Sequence, residues 1–274
     1  MLGRPVLSLL SSVVIQDGER ATGGLTTVVR IGKTIRRPTG VWTPAVHSLL
    51  EHLERAGFGG APRPRGIDEQ GREVLTLVVG EVAMRPWPAV LISGDGLSQL
   101  ARWLRAYHDA VADFVPPADA RWIFPDATWQ PGQIVRHGDL GPWNSVWRGE
   151  NLAGFIDWDL AEPGEALDDV AQLAWNAVPL RGPDITRAAG LAEGCDLRAR
   201  VSTLCEAYGV PASATLGALE RLIAREISRL QVLGSAGVEP WSSFRERGDE
   251  TSLGQELDWL IANRSSLVSD EPVR

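Results

Sequence analysis

The segment from 137 to 160 places polar side chains at the ends of short apolar runs. The runs are "QIV", "SVW" and "AGFI" within "QIVRHGDLGPWNSVWRGENLAGFIDWDL", and their length and flanking loops indicate short strands. Asp139, Asn144 and Asp157 fall in the adjoining loops, so three oxygen-bearing side chains would converge. The amide and carboxylate of Asn144 and Asp157 are hard oxygen donors of the kind that Mg²⁺ binds, leaving room for water and phosphate. Asp139 would remain to act on a proton.

The elements that must position these residues change in type along the chain. In the first part, "LLSSVVIQ", "TTVVRI", "TIRR" and "EVLTLVVG" are typical of strands. One helix is predicted in "TPAVHSLLEHLERAG", beginning after Thr43 with Pro44 in its first turn and ending at Gly57. Beyond the Gly- and Pro-rich "GEVAMRPWP", the stretch "GLSQLARWLRAYHDAVADF" carries an apolar helical stripe, and long helical patterns follow from Leu167. The prediction is an α+β fold with a small β-rich lobe before a larger, mostly α lobe.

Composition excludes several classes of protein. The 274 residues are 44% apolar, which is ample for a core, and the formal net charge is −8. A general binder of nucleic acid or of anionic membranes would need a positive surplus. The sequence has no apolar run of membrane-spanning length and no convincing secretory signal, and Cys195 and Cys205 lack the spacing typical of zinc sites. We therefore expect a cytoplasmic protein with neither nucleic acid nor membrane as a partner.

Two motifs resemble those of a known family. The stretch "HGDLGPWN" resembles the H-G-D-x-x-x-x-N catalytic loop of the aminoglycoside phosphotransferase family, which is related to the protein kinases. The following "FIDWDLAEPGEALDDVAQLAW" is similar to the family's metal-binding segment, with Asp157 at the place of the kinase D-F-G aspartate. The resemblance implies a two-lobed protein-kinase-like fold. Residues 1–80 would form the nucleotide-binding lobe, 81–88 the hinge, and 89–274 the catalytic and acceptor-binding lobe.

The resemblance also implies roles for single residues. Asp139 would accept the proton of a substrate hydroxyl, or orient that hydroxyl, as it attacks the γ-phosphate of ATP or GTP. Asn144 and Asp157 would hold Mg²⁺ against the phosphates. His137 would brace the loop by hydrogen bonding, and Asp169 would tether it.

The strand cation of kinase-like sites has no simple match here. These sites carry a strand lysine that pairs with a helix glutamate. Lys33 is the only lysine but falls in a predicted turn, whereas Arg36 lies inside the strand and is the preferred candidate. Lys33 is the alternative and Arg37 comes third. The glutamate would fall near Val46 or His47, and neither residue is an acid.

The remaining nucleotide contacts are predicted from position. Gly23 and Gly24, in "QDGERATGG", would form a flexible turn over the phosphates, although the stretch falls short of a G-x-G-x-x-G fingerprint. Val79, Gly80 and Glu81 would hold the adenine through backbone groups.

The expected activity is transfer of the γ-phosphate of ATP or GTP to a hydroxyl of a small molecule. An antibiotic such as an aminoglycoside, an amino sugar or an amino alcohol could be the acceptor, and the protein would be a monomer or a homodimer. The alternative is a kinase-like nucleotide-binding protein with a regulatory role and weak or no catalysis.

Overall fold

The first sheet is antiparallel and lies near the start of the chain. The computed structural model describes residues 20–23 and 26–268. Five strands follow the order β1-β2-β3-β5-β4. Their bounds are β1 Arg20–Gly23, β2 Thr26–Ile31, β3 Thr34–Pro38, β4 Pro64–Ile67 and β5 Arg72–Thr76. The strands predicted in "TTVVRI" and "TIRR" are confirmed, while the "LLSSVVIQ" prediction lies outside the described residues.

The helix predicted between β3 and β4 is also confirmed. Helix α1 spans Thr43–Arg55 with Pro44 in its first turn. Its apolar stripe is buried, since Leu49, Leu50 and Leu53 are each 0% exposed. The three-and-four spacing of these leucines fixes which face of α1 packs inward, and therefore which face meets the sheet.

Short strands frame the polar segment that the motifs singled out. They are β6 Glu81–Val82, β7 Ile134–Arg136, β8 Ser145–Arg148, β9 Asn151–Phe155 and β10 Glu162–Gly164. Strands β8 and β9 form a hairpin that β6 extends, and β7 pairs with β10. The strands predicted in "QIV", "SVW" and "AGFI" are thereby confirmed.

The other helices provide most of the chain's second half. They are α2 Ala89–Ser93, α3 Asp95–Val111, α4 Ala166–Ala177, α5 Pro183–Ala188, α6 Leu197–Tyr208, α7 Ala212–Ser235, α8 Trp241–Glu246 and α9 Asp249–Leu267. Among the described residues, none of these helices is both long and apolar enough to span a bilayer.

The described chain divides into two compact units. One contains residues 20–84 and 102–169, and the other contains 85–101 and 170–268. Every residue of the polar segment around Asp139 belongs to the first unit. The lobes at 1–80 and 89–274, with a hinge at 81–88, stay predictions.

Candidate active site

The loop after β7 is held in place by Asp169. The carboxylate of Asp169 accepts the backbone N–H of His137 at 2.8 Å and that of Gly138 at 3.2 Å. Gly138 has a φ of +80°, and a Cβ there would lie 2.0 Å from the carbonyl oxygen of Leu160. Only glycine fits this turn, which brings the next residue, Asp139, into the site.

Asp169 itself stays ionised. It is fully buried, and burial opposes its charge, but the hydrogen bond and charge of His108 and the charge of Arg136 lower the pKa of Asp169. The ring of His108 lies 3.3 Å from its Oδ2. A buried carboxylate that binds two backbone N–H groups keeps the loop in one conformation.

Asp139 and Asn144 are bonded to each other. The Nδ2 of Asn144 donates to Asp139 Oδ2 at 2.8 Å and to its carbonyl at 3.0 Å. The backbone N–H of Asp139 donates to His137 Nδ1 at 3.2 Å. Burial raises the pKa of Asp139 well above its usual range, and the negative charge of Asp157 adds to the shift. Asp139 thus contacts both other motif residues, His137 and Asn144.

Asp157 comes to the same place along the neighbouring hairpin. Strand β8 begins directly after Asn144, and the N–H of Ile156 donates to the Asn144 carbonyl at 2.9 Å. The next residue, Asp157, has a φ of 64°, the one positive value among the described non-glycine residues. Side chains rarely adopt this conformation, and when they do they are often at functional sites.

Two buried oxygens in this group have no hydrogen-bond partner among the described residues. They are Asn144 Oδ1 and Asp157 Oδ2. A buried acceptor without a partner is costly, and both atoms are oxygens of the residues expected to bind Mg²⁺. The donor set therefore fits that ion. No group of three or more His, Cys, Asp and Glu in the described residues is arranged to hold a metal.

Arg37, the third candidate for the strand cation, contacts these acids, and the role given to Arg36 stays a prediction. Arg37 is 5% exposed, and its Nη1 donates to Asp157 Oδ1 at 3.1 Å. Its Nη2 donates to Asp159. Arg36 lies on the opposite face of β3, bonded to Thr34 Oγ1 at 2.6 Å, because successive side chains of a strand alternate.

Lys33, the alternative candidate, lies outside the strands. It is exposed in the turn between β2 and β3. The predicted "GK" turn is confirmed, and Lys33 as the cation of the site stays a prediction.

The charge of Arg37 is maintained by its neighbours. Burial opposes the charge, but Asp159, Glu73 and Asp157 together raise the pKa of Arg37. Burial also raises the pKa of Asp159 to about 7 despite the attraction of Arg37.

Next to Arg37 lies a strand acid that also contacts a histidine of α1. Glu73 on β5 stands opposite Arg37 in the strand register and accepts a hydrogen bond from its Nε. The other oxygen of Glu73, Oε2, lies 2.9 Å from Nε2 of His47 on α1. Sequence reasoning missed Glu73 because strand pairing is not local. The signal that could have found Glu73 was the alternation of side chains between the two strand faces in "TIRR" and in "EVL".

The other predicted nucleotide contacts are placed as follows. Gly23 ends β1, paired with Thr26, and Gly24 lies outside the described residues. Glu81 pairs with Trp147 across β6 and β8. The Val79 carbonyl accepts from Arg148 Nε at 2.9 Å, and a Cβ on Gly80 would lie 2.4 Å from the Trp147 carbonyl.

The chain is similar in sequence to known proteins. A sequence model of the phosphotransferase enzyme family matches residues 94–204. The trifolitoxin immunity protein of Rhizobium leguminosarum bv. trifolii is 37% identical over 206 residues, which cover 73% of this chain and 77% of that protein.

Solved structures show the same fold. ADP-bound aminoglycoside phosphotransferase APH(2'')-Ib superposes with a TM-score of 0.57 at 12% identity, covering 90% of this chain and 95% of that one. The GDP complex of aminoglycoside 2'-phosphotransferase-IIIa gives a TM-score of 0.51 at 14% identity, covering 93% and 94% of the two chains.

The fold is the protein-kinase-like fold that the motifs predicted. The catalytic-loop motif lies inside the region that the family's sequence model matches. The chain belongs to the phosphotransferase enzyme family and is a small-molecule kinase.

Proposed function

We propose that this protein transfers the γ-phosphate of ATP or GTP to a hydroxyl of a small molecule. The observation that carries the proposal is the pair of unsatisfied buried oxygens, Asn144 Oδ1 and Asp157 Oδ2, beside the Asp139 carboxylate. Phosphoryl transfer depends mainly on positioning and charge, and this group supplies a base and two oxygen ligands on rigid elements.

Each side chain then has one task. Asp139 accepts the proton of the acceptor hydroxyl or orients that hydroxyl, while the Asn144 amide fixes the Asp139 carboxylate by its 2.8 Å hydrogen bond. Arg37 is the cation for the nucleotide phosphates, since a guanidinium stays charged and offers paired donors. Mg²⁺, held by Asn144 and Asp157, would neutralise phosphate charge.

The acceptor is proposed as an antibiotic or a related hydroxyl compound. The relative that is 37% identical is called an immunity protein, which supports a toxic small molecule among the acceptors. Aminoglycosides, amino sugars and amino alcohols are candidates. We propose the cytoplasm as its location because the reaction consumes a nucleoside triphosphate.

The test replaces the proposed base. Asp139→Ala should lower the rate of turnover by about 10²–10⁴ for any acceptor found by mass detection of a phosphorylated product. Binding of Mg-nucleotide, measured by titration calorimetry, should remain near the wild-type value. Turnover that is unchanged in Asp139→Ala would exclude the proposed base. Asp119→Asn, which alters an exposed acid, serves as the control.

A further inference from the structure

We propose that Glu73 and His47 are positioning residues that hold the Arg37 guanidinium for its contact with the nucleotide phosphates. The inference rests on the proposed function. It assigns to a strand acid and a helix imidazole the task that kinase-like sites give to one helix glutamate.

Arg37 and Glu73 form a buried pair across two neighbouring strands. Arg37 lies directly opposite Glu73 across β3 and β5, so the register of the sheet itself sets their separation. Glu73 is 2% exposed, and it accepts the Nε–H of Arg37. A buried partner within one sheet restricts the guanidinium more than an exposed partner could.

The N–H donors of Arg37 are divided among three acids. Its Nη1 and Nη2 are directed to Asp157 and Asp159, whereas its Nε is directed to Glu73. Of these three acids, only Glu73 lies outside the segment that carries the proposed metal ligand. Glu73 can therefore keep its hold on Arg37 when the contacts of Asp157 change as nucleotide binds.

Helix α1 contacts this pair through His47. Nε2 of His47 lies 2.9 Å from Oε2 of Glu73, and His47 is largely buried, with a side chain 14% exposed. Burial alone would raise the pKa of Glu73, but His47 and Arg37 reverse the shift and lower it. The two oxygens of an ionised Glu73 are thus shared between Arg37 and His47. Loss of the imidazole would free the carboxylate to rotate away from Arg37.

The experiment measures binding of Mg-ATP and Mg-GTP by titration calorimetry, which requires no acceptor. His47→Leu should weaken nucleotide binding roughly fivefold, the value of one net hydrogen bond. His47→Gln, whose amide can still donate to Glu73, should recover most of the affinity. Glu73→Gln should weaken binding roughly tenfold because a charge-assisted bond is lost.

A matched control is available on the same helix. His52 is 17% exposed at its side chain and is bonded to the Ala110 carbonyl at 2.9 Å, but it does not contact Glu73. His52→Leu should change the melting temperature without changing nucleotide affinity. A loss of affinity as large in His52→Leu as in His47→Leu would show that only the stability of α1 matters, and the inference would fail.

A double variant separates coupling from general damage. In the Glu73→Gln background, adding His47→Leu should change affinity by less than about twofold, because both residues act through one contact. Additive losses would contradict the inference. A wild-type chain that binds neither nucleotide would contradict the proposed function as well, whereas wild-type binding that His47→Leu leaves unchanged would contradict this inference alone.

Discussion

At the level of single residues, the site carries an excess of buried negative charge. One guanidinium, that of Arg37, faces the carboxylates of Glu73, Asp157 and Asp159. Burial and the neighbouring acids raise the pKa of Asp159 to about 7 and that of Asp139 well above its usual range. Carboxylates in this situation favour protonation or a bound cation. This excess of buried negative charge agrees with a site for a divalent ion, as do the unsatisfied oxygens Asn144 Oδ1 and Asp157 Oδ2.

Asp169 gives a stability prediction for the same loop. Asp169→Asn would remove the charge that binds the N–H groups of His137 and Gly138. We expect the free energy of unfolding near neutral pH to fall by about 3 kcal/mol, as measured by urea denaturation. Asp119→Asn, at an exposed position, should change it by less than about 0.5 kcal/mol.

The same variant predicts a pH dependence. The folded protein lowers the pKa of Asp169 below that of the unfolded chain, about 3.9 for a free aspartate. The stabilisation is therefore fully present above about pH 4 and is lost as the pH falls through the lower, folded-state pKa. The difference between wild type and Asp169→Asn should shrink across that acid range. A difference that grows as the pH falls would contradict the charge assignment.

At the level of elements, β3 shows what sequence patterns could and could not predict. The bounds of β2, β3 and α1 followed from alternation and helical spacing, and the catalytic loop followed from its motif. Which of two adjacent arginines faces Asp157 did not follow, because Arg36 and Arg37 lie on opposite faces of β3 and a shift of one residue exchanges the two faces. Ile35 lies on the same face of β3 as Arg37. This apolar residue was therefore the signal from which the face carrying Arg37 could have been chosen. Glu73 required knowledge that β3 pairs with β5, which local patterns do not contain.

The β8–β9 hairpin provides a packing prediction. A Cβ on Gly154 would lie 2.2 Å from the Gly60 carbonyl oxygen, which already accepts the N–H of Phe155 at 3.0 Å. Gly154→Ala should therefore displace β9, which leads to Asp157, and lower the free energy of unfolding by about 3 kcal/mol or more. Turnover should fall with it.

The turn of the same hairpin offers the control. Gly149 also has a positive φ, +59°, but a Cβ there would meet nothing within 4 Å. Gly149→Ala should cost only the backbone strain, about 1 kcal/mol. Equal losses in thermal denaturation for Gly149→Ala and Gly154→Ala would mean that the contact with Gly60 is unimportant.

At the level of the whole molecule, neither compact unit is a continuous piece of chain. Residues 85–101 belong with 170–268, although 102–169 belong with 20–84. The sequence marked a break near Gly80 to Pro88 by its glycine and prolines, but it did not indicate that α3 continues from one unit into the other. Helical periodicity identifies a helix without specifying what its two halves pack against.

This arrangement predicts the behaviour of a shortened chain. A fragment ending at Asp169 keeps the site residues but removes the partners of 85–101. In the full chain, the guanidinium of Arg200 donates to the Leu91 and Ile92 carbonyls, each at 2.9 Å, and Leu91 and Leu97 are 0% exposed. Exposure of these groups should make the fragment associate, with loss of a cooperative thermal transition. Size-exclusion chromatography and circular dichroism against the full chain would measure both effects.

A variant of the fragment provides the control. Replacing Leu91 and Leu97 by serine in the fragment should reduce the association. A fragment that stays monomeric with a sharp transition would show instead that the site-bearing unit folds alone.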